Sequence, residues 1–219
     1  VLFGNRRRPP RVKVCGITNW SDAARAVEAG ADALGFNFYP RSPRYIPPEE
    51  AARIVERLPR RVTTVGVFVN EQTELIDSIM RAAGLGVVQL HGTEPARQVA
   101  VLARHWPVIK AFRLRPDFPV RRVREYSTAA AFLVDAFVPG CWGGTGRTAS
   151  WRLARQVGRY GPLILAGGLR AENVEAAVRR VRPFAVDVCS GVESRPGKKD
   201  PEKLRAFFAA IRRLRRASA

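Results

Sequence analysis

Eight short apolar runs alternate with eight amphipathic segments along this chain, and that alternation limits the fold more than any other feature. The runs are RVKVC (11–15), ALGFNF (33–38), TTVGVFV (63–69), GVVQL (86–90), VIKAF (108–112), AAFLVD (130–135), PLILA (162–166) and FAVDVC (184–189). The intervening segments, 21–30, 48–58, 74–84, 94–105, 118–126, 150–160, 171–181 and 200–216, carry the spacing of helices with one apolar face. Ser21 before Asp22, Pro48 in a first turn and Asp200 before Pro201 read as helix starts, and Gly30 and Gly84 as stops. Strands that alternate with helices in this way build parallel βαβ units. Runs that are apolar at almost every position suit strands covered on both faces.

Two closures are open to such units: a doubly wound open sheet or an eight-stranded barrel. The count of eight, and the lack of a GxGxxG turn after the first run, favour the barrel. The fold expected is therefore α/β, a single-domain (β/α)8 TIM barrel over residues 12–216, preceded by a basic extension at 1–11. In such a barrel the chemistry sits at the C-terminal ends of the strands, where the strand-to-helix loops gather.

Composition narrows the function. The net charge of +19, from 38 Lys+Arg against 19 Asp+Glu, raises nucleic acid as a partner. The arginines are spread over many helical segments, however, and clustered only at RRR (6–8) and RRLRR (212–216), with no recognition motif. The field suits nonspecific phosphate attraction or a small polyanionic substrate better than a specific nucleic acid. No apolar run reaches the ~20 residues that a spanning helix needs, so no membrane partner is expected. Three widely spaced cysteines (Cys15, Cys141, Cys189) fit reduced thiols in a cytoplasmic protein, and two histidines make a histidine metal centre an unlikely design. No metal or other cofactor is expected. Trp20, Trp142 or exposed Phe side chains could mark a dimer patch, so monomer and homodimer both remain open.

The polar residues at the run ends are the candidates for chemistry. They are Cys15, Arg41 and Arg44 in YPRSPRYI, Asn70, His91 in QLHG, Asp135, and Asp187 with Ser190 in DVCSG. A cysteine ending a strand is commonly core filler, because free Cys is among the most buried residue types. Asp135 closes an otherwise apolar run, where an unpaired carboxylate is costly, so it is either a structural ion pair or a working group. Cys15 and Asp135 fall on the first and sixth strands, across the mouth of an eight-strand ring, where a thiolate and a carboxylic acid could exchange protons with opposite sides of one substrate. Arg44 lies in a loop stiffened by Pro40, Pro43, Pro47 and Pro48, and could clamp a carboxylate; Arg41 competes for that role. His91 is either a substrate contact or a hydrogen-bonded strand-end histidine. Glycines in GGTGRT (143–148), LAGGL (165–169) and CSGVES (189–194) mark loops whose amides could hold phosphate, with Gly144, Gly167, Gly168, Ser190 and Gly191 as the candidate residues.

Taken together, VKVCGIT, GFNFYPRSPRYI, QLHG, LVDA, GGTGRT, LAGGL and DVCSGVESRPGKKD closely resemble the phosphoribosylanthranilate isomerase family, in order and over residues 12–212. The resemblance implies a cofactor-independent enzyme of tryptophan biosynthesis acting on a small phosphorylated substrate. It implies Cys15 as general base, Asp135 as general acid and Arg44 as the ligand of the anthranilate carboxylate, with His91 and Asp187 among the substrate contacts. One position departs from the family pattern: Cys189 stands where the family usually has serine, and a thiol is the poorer hydrogen-bond donor. The basic extension has no counterpart in these motifs.

Overall fold

The computed structural model describes residues 10–115, 117–136 and 148–217. Within them eight parallel strands close into a barrel in sequence order: β1 Arg11–Cys15, β2 Ala33–Asn37, β3 Thr63–Phe68, β4 Val87–Leu90, β5 Val108–Leu114, β6 Ala131–Ala136, β7 Leu163–Ala166 and β8 Ala185–Val188. Helices α1 (Trp20–Ala29), α2 (Pro48–Val55), α3 (Thr73–Ala82), α4 (Ala96–Leu102), α5 (Thr148–Val157), α6 (Val174–Val181) and α7 (Pro201–Ala217) flank the barrel. The seam closes through β1 and β8, with Lys13 opposite Asp187 and Val14 opposite Val188. Arg11, at the margin of the basic extension, is the first residue of β1 and pairs with Ala185.

Strand parity divides the core in two. Val12 and Val14 of β1, Phe132 and Val134 of β6, and Val186 and Val188 of β8 face the helices and join the large outer core. The alternate positions, among them Ala33, Val65, Val87, Ile109, Ala131, Leu133, Ile164 and Ala185, fill the barrel interior. Both faces are buried, which is why the strands read as continuous apolar runs. The same parity carries Lys13 and Cys15, Gln89 and His91, Asp135, and Asp187 inward, two residues apart on each strand.

Three local details depart from the sequence reading. The first helix is capped two residues before Ser21, by Asn19, which accepts from the Asp22 backbone amide at 2.9 Å while its side-chain amide donates to the Asp22 carboxylate at 2.8 Å. The segment 118–126 forms a 3₁₀ helix over Val120–Tyr126 in place of an α-helix. Its anchors Val120, Val123 and Tyr126 recur every third residue, the spacing that a three-residue turn places on one side. After β8 the chain adds a short antiparallel hairpin, β9 (Glu193–Arg195) with β10 (Lys198–Lys199). By contrast, Asp200 caps α7 by accepting from the amides of Glu202 and Lys203, and Gly30 ends α1 in the left-handed conformation.

Beneath the β3–β5 side of the mouth lies a buried polar knot. Glu94 accepts from the amides of Asn70 and Gly92 at 2.9 Å and from Lys110 Nζ at 2.7 Å. Lys110 also donates to the Gly92 carbonyl at 2.9 Å, and Tyr126 to the Glu94 carbonyl at 3.2 Å. The knot ties the loops after β3 and β4 to β5. Removing one member of a buried ion pair strands the other charge away from water. Lys110→Met is therefore expected to destabilise the protein by about 3 kcal/mol or more, measured by urea unfolding. A midpoint equal to wild type would show that the pair holds nothing together.

Candidate active site

The mouth is organised by a buried ion pair. Lys13 Nζ lies 2.9 Å from Asp187 Oδ1 across the β1–β8 seam, with the lysine side chain wholly enclosed. Burial alone would favour neutral lysine, yet Asp187 and the neighbouring Cys15 sulfur overcome it and hold Lys13 charged well above its ordinary pKa.

Cys15, one inward position further along β1, sits in the field of that ammonium. Its thiol is pulled down to a pKa of about 6, first by a hydrogen bond from the Cys189 thiol and then, against the penalty of burial, by Lys13. The Cys189 thiol moves the opposite way, raised because it donates to Cys15 and is itself buried. The two sulfurs thus share one proton, with the negative charge on Cys15. The backbone makes room for this. Gly35 is the register partner of Cys15 on β2, and a Cβ there would stand 2.8 Å from the Cys15 sulfur and 3.0 Å from Lys13 Nζ. Gly16 turns the chain with φ +75°, and a Cβ there would meet the Arg44 side chain at 2.8 Å and the Cys189 sulfur at 3.0 Å.

Asp135 ends β6 on the same inward parity. Burial raises its pKa, the Asp187 carboxylate raises it further, and Arg113, its register partner on β5, opposes both. His91 at the end of β4 is held neutral, lowered to about 4 chiefly by burial, with Nδ1 2.9 Å from Gln89 Nε2. Asp187 is the charge that acts on Cys15, Asp135 and His91 alike. One mouth therefore holds a thiol disposed to lose its proton and a carboxyl disposed to keep one.

Arg44 is half-buried, whereas Arg41 is exposed. The Arg44 guanidinium grips Glu193 with two nitrogens, Nε to Oε1 at 2.9 Å and one terminal nitrogen to Oε2 at 2.6 Å. Glu193 also accepts from Lys199 Nζ at 2.9 Å, and Lys199 donates to the Cys15 carbonyl at 2.6 Å. Both residues come from the hairpin β9–β10, where Lys199 is the register partner of Glu193. Burial works against the Glu193 charge, but its two cations keep it ionised below the usual range. Two cations against one carboxylate leave the cluster net positive, and the second edge of the guanidinium is not used by Glu193.

The loops after β7 and β8 come together as the glycines suggested. Gly167 and Gly168 both take positive φ. Asn173 ties that loop by donating to the Gly168 carbonyl and accepting from the Arg170 amide, each at 2.9 Å. Ser190 and Gly191 open a 3₁₀ turn after β8. A Cβ on Gly191 would lie 1.9 Å from the Leu169 carbonyl oxygen, so the two loops touch backbone to backbone. Gly144 lies outside the described residues, as do Cys141 and Trp142.

Sequence reasoning singled out Cys15, Arg44, His91, Asp135 and Asp187, and the structure gathers all five at the strand ends. It did not single out Lys13, Gln89, Arg113, Glu193 or Lys199. For the first two a signal existed: each is a polar residue two positions before a candidate, hence on the same face of its strand. Glu193 and Lys199 have their distant partners, Arg44 and the Cys15 carbonyl, on the far side of the sequence.

A family model described as N-(5'-phosphoribosyl)anthranilate (PRA) isomerase matches residues 12–210. The chain belongs to that family. It is 47% identical over 208 residues to the N-(5'-phosphoribosyl)anthranilate isomerase of Pelobacter propionicus, covering 95% of this chain and 98% of that protein. The phosphoribosyl anthranilate isomerase structure from Thermotoga maritima matches with a TM-score of 0.87 at 45% identity, over 94% of this chain and all of that one. Another isomerase of the family, solved in complex with reduced 1-(o-carboxyphenylamino)-1-deoxyribulose 5-phosphate, matches with a TM-score of 0.84 at 43% identity, covering 94% of this chain and 100% of that chain. No described helix is long and apolar enough to cross a membrane. The described residues include no cluster of three or more His, Cys, Asp or Glu that could hold a metal ion.

The charge arrangement gives a direct expectation for Cys15. The pH dependence of its alkylation by iodoacetamide should have a midpoint near 6. In Cys189→Ala, which removes the donor to the thiolate, the midpoint should move upward. A midpoint in the ordinary thiol range of ~8.5 in the wild-type protein would contradict this description.

Proposed function

We propose that this chain is an N-(5'-phosphoribosyl)anthranilate isomerase, converting its substrate to 1-(2-carboxyphenylamino)-1-deoxyribulose 5-phosphate in tryptophan biosynthesis. The observation that carries the assignment of roles is the opposite perturbation of two groups at one mouth: Cys15 lowered to about 6 and Asp135 raised.

Asp135, protonated, gives its proton to the furanose ring oxygen as the C1–O bond breaks, and the anthranilate nitrogen supplies the electron pair that makes an iminium. Cys15, as thiolate, takes the C2 proton, and those electrons flow to the iminium nitrogen. The resulting enolamine gains a proton at C1 as its C2 hydroxyl gives one up, and becomes the ketone. The iminium is its own electron sink, so the chain's side chains need only move protons. The first step needs an acid and the second a base, which is the pair of protonation states this site favours.

Arg44 holds the anthranilate carboxylate through the guanidinium edge left over by Glu193. Glu193 and Lys199 position Arg44, and the net positive balance of the three favours the incoming anion. His91 and Asp187 face the sugar portion. The phosphate rests on the amides around Gly167, Gly168, Ser190 and Gly191, where two touching loops offer N–H donors without bulk. The overall positive charge draws a substrate bearing both carboxylate and phosphate. The reduced thiols fit a cytoplasmic setting.

One kinetic experiment tests these roles together, following the loss of the substrate's anthranilate fluorescence. Cys15→Ala and Asp135→Asn should each lower kcat by about a hundredfold or more. Arg44→Ala should chiefly raise KM, by about tenfold or more for loss of a charge-assisted contact. Near-wild-type kcat in either of the first two variants would remove that residue from its role, and an unchanged KM in the third would move carboxylate binding elsewhere.

A further inference from the structure

Cys189 has no part in the proton transfers just described, yet its sulfur lies beside Gly16, the residue that follows Cys15, where a Cβ would stand 3.0 Å from it. The strand register explains the meeting. Lys13 pairs with Asp187 and Val14 with Val188, so the next residues along the parallel seam are Cys15 and Cys189. Neighbouring strands run about 4.8 Å apart, inside the roughly 4.4–6.8 Å between Cα atoms that a disulfide spans. The positions that Cβ atoms of Gly35 and Gly16 would take lie 2.8 Å from one sulfur and 3.0 Å from the other. Glycine at both positions leaves room for the two sulfurs on this side of the seam. Both cysteines are free and only half-buried, so a small molecule entering the mouth can reach them.

We propose that Cys15 and Cys189 are a thiol redox pair, forming a reversible disulfide when the protein meets a hydroperoxide. The chemistry balances in two steps. The Cys15 thiolate attacks a peroxide oxygen: an S–O bond forms, the O–O bond breaks, and the leaving oxygen takes a proton as water, or as an alcohol from an organic peroxide. The sulfur is thereby oxidised to sulfenic acid. The Cys189 sulfur then attacks Cys15 as the S–O bond breaks, and the hydroxide leaves as water with the Cys189 proton. Two thiols are oxidised by two electrons, and one peroxide is reduced.

The surroundings favour each step in turn. Cys15 carries the thiolate while both thiols are reduced. Once Cys15 is a neutral sulfenic acid, the negative charge that holds the proton on Cys189 is gone. Lys199 Nζ, 3.9 Å from the Cys189 sulfur, then favours its ionisation, against burial and the Glu193 carboxylate at 3.7 Å. Without such a partner a sulfenic acid continues to irreversible sulfinic acid, so the second cysteine keeps the oxidation recoverable. The consequence for activity rests on Cys15 being the general base proposed above: a disulfide would remove that base and switch the isomerase off.

The test uses the full reduced chain and hydrogen peroxide, with free thiols then blocked by N-ethylmaleimide and the protein digested with trypsin. A cross-link between peptides 14–25 and 181–198, removed by dithiothreitol, is expected. Activity should fall in proportion to the cross-linked fraction and return with dithiothreitol. In Cys189→Ser, compared with its own reduced activity, the loss should no longer be recoverable. Recovery of Cys15 unlinked to Cys189, whether alkylated, over-oxidised or joined to the Cys141 peptide 125–147, would overturn the proposal. Complete cross-linking with full activity would uphold the redox pair and instead remove Cys15 from the role of base.

Discussion

The ion pair between Lys13 and Asp187 is the interaction on which the site depends. It lies across the seam where the first and last strands of the barrel meet, so it exists only once the sheet has closed. Burying two charges is expensive, and such a pair seldom adds net stability over apolar side chains of similar size. What it supplies here is a fixed field. The lysine end favours negative charge on Cys15; the aspartate end disfavours it on Asp135. Together with the Cys189 thiol and burial, this pair shifts the two groups in opposite directions, as acid–base chemistry near neutral pH requires.

The ionic cluster Arg44–Glu193–Lys199 has a different task. It leaves one net positive charge, and Glu193 engages only Nε and one terminal nitrogen of the guanidinium. Lys199 also grips the Cys15 carbonyl, which couples the hairpin after β8 to the loop after β1. The pair inside the barrel thus bears on the protonation of Cys15 and Asp135, and the cluster fixes Arg44 in place. The two meet at the Cys15–Cys189 contact, where a change at either sulfur is felt by both.

The barrel was legible in the sequence because strands covered on both sides must be apolar at almost every position, and eight such runs allow few closures. Helix ends marked by side-chain chemistry were partly legible. Asp200 caps α7 as expected, whereas at α1 the cap is Asn19, whose side chain bonds Asp22 in both directions. The 3₁₀ segment was missed because Val120, Val123 and Tyr126 fit a period of 3.0 nearly as well as 3.6. Cys15, Arg44 and Asp135 stood out as reactive side chains at strand ends. Lys13 did not, since a lone charge within a strand reads as an interruption until the opposing Asp187 is known. Glu193 and Lys199 became visible only when the hairpin folded them over β1.

The central claim is that burial and the Asp187 carboxylate raise the Asp135 pKa while that of the Cys15 thiol is lowered. The most direct test is a titration of the aspartate carboxyl carbons by ¹³C NMR, with the Asp135 signal assigned by its loss in Asp135→Asn. Asp135 should titrate above the ordinary aspartate value of ~3.9 and move back toward it in Asp187→Asn. An Asp135 carboxyl titrating at or below that ordinary value, and unmoved by Asp187→Asn, would contradict the account.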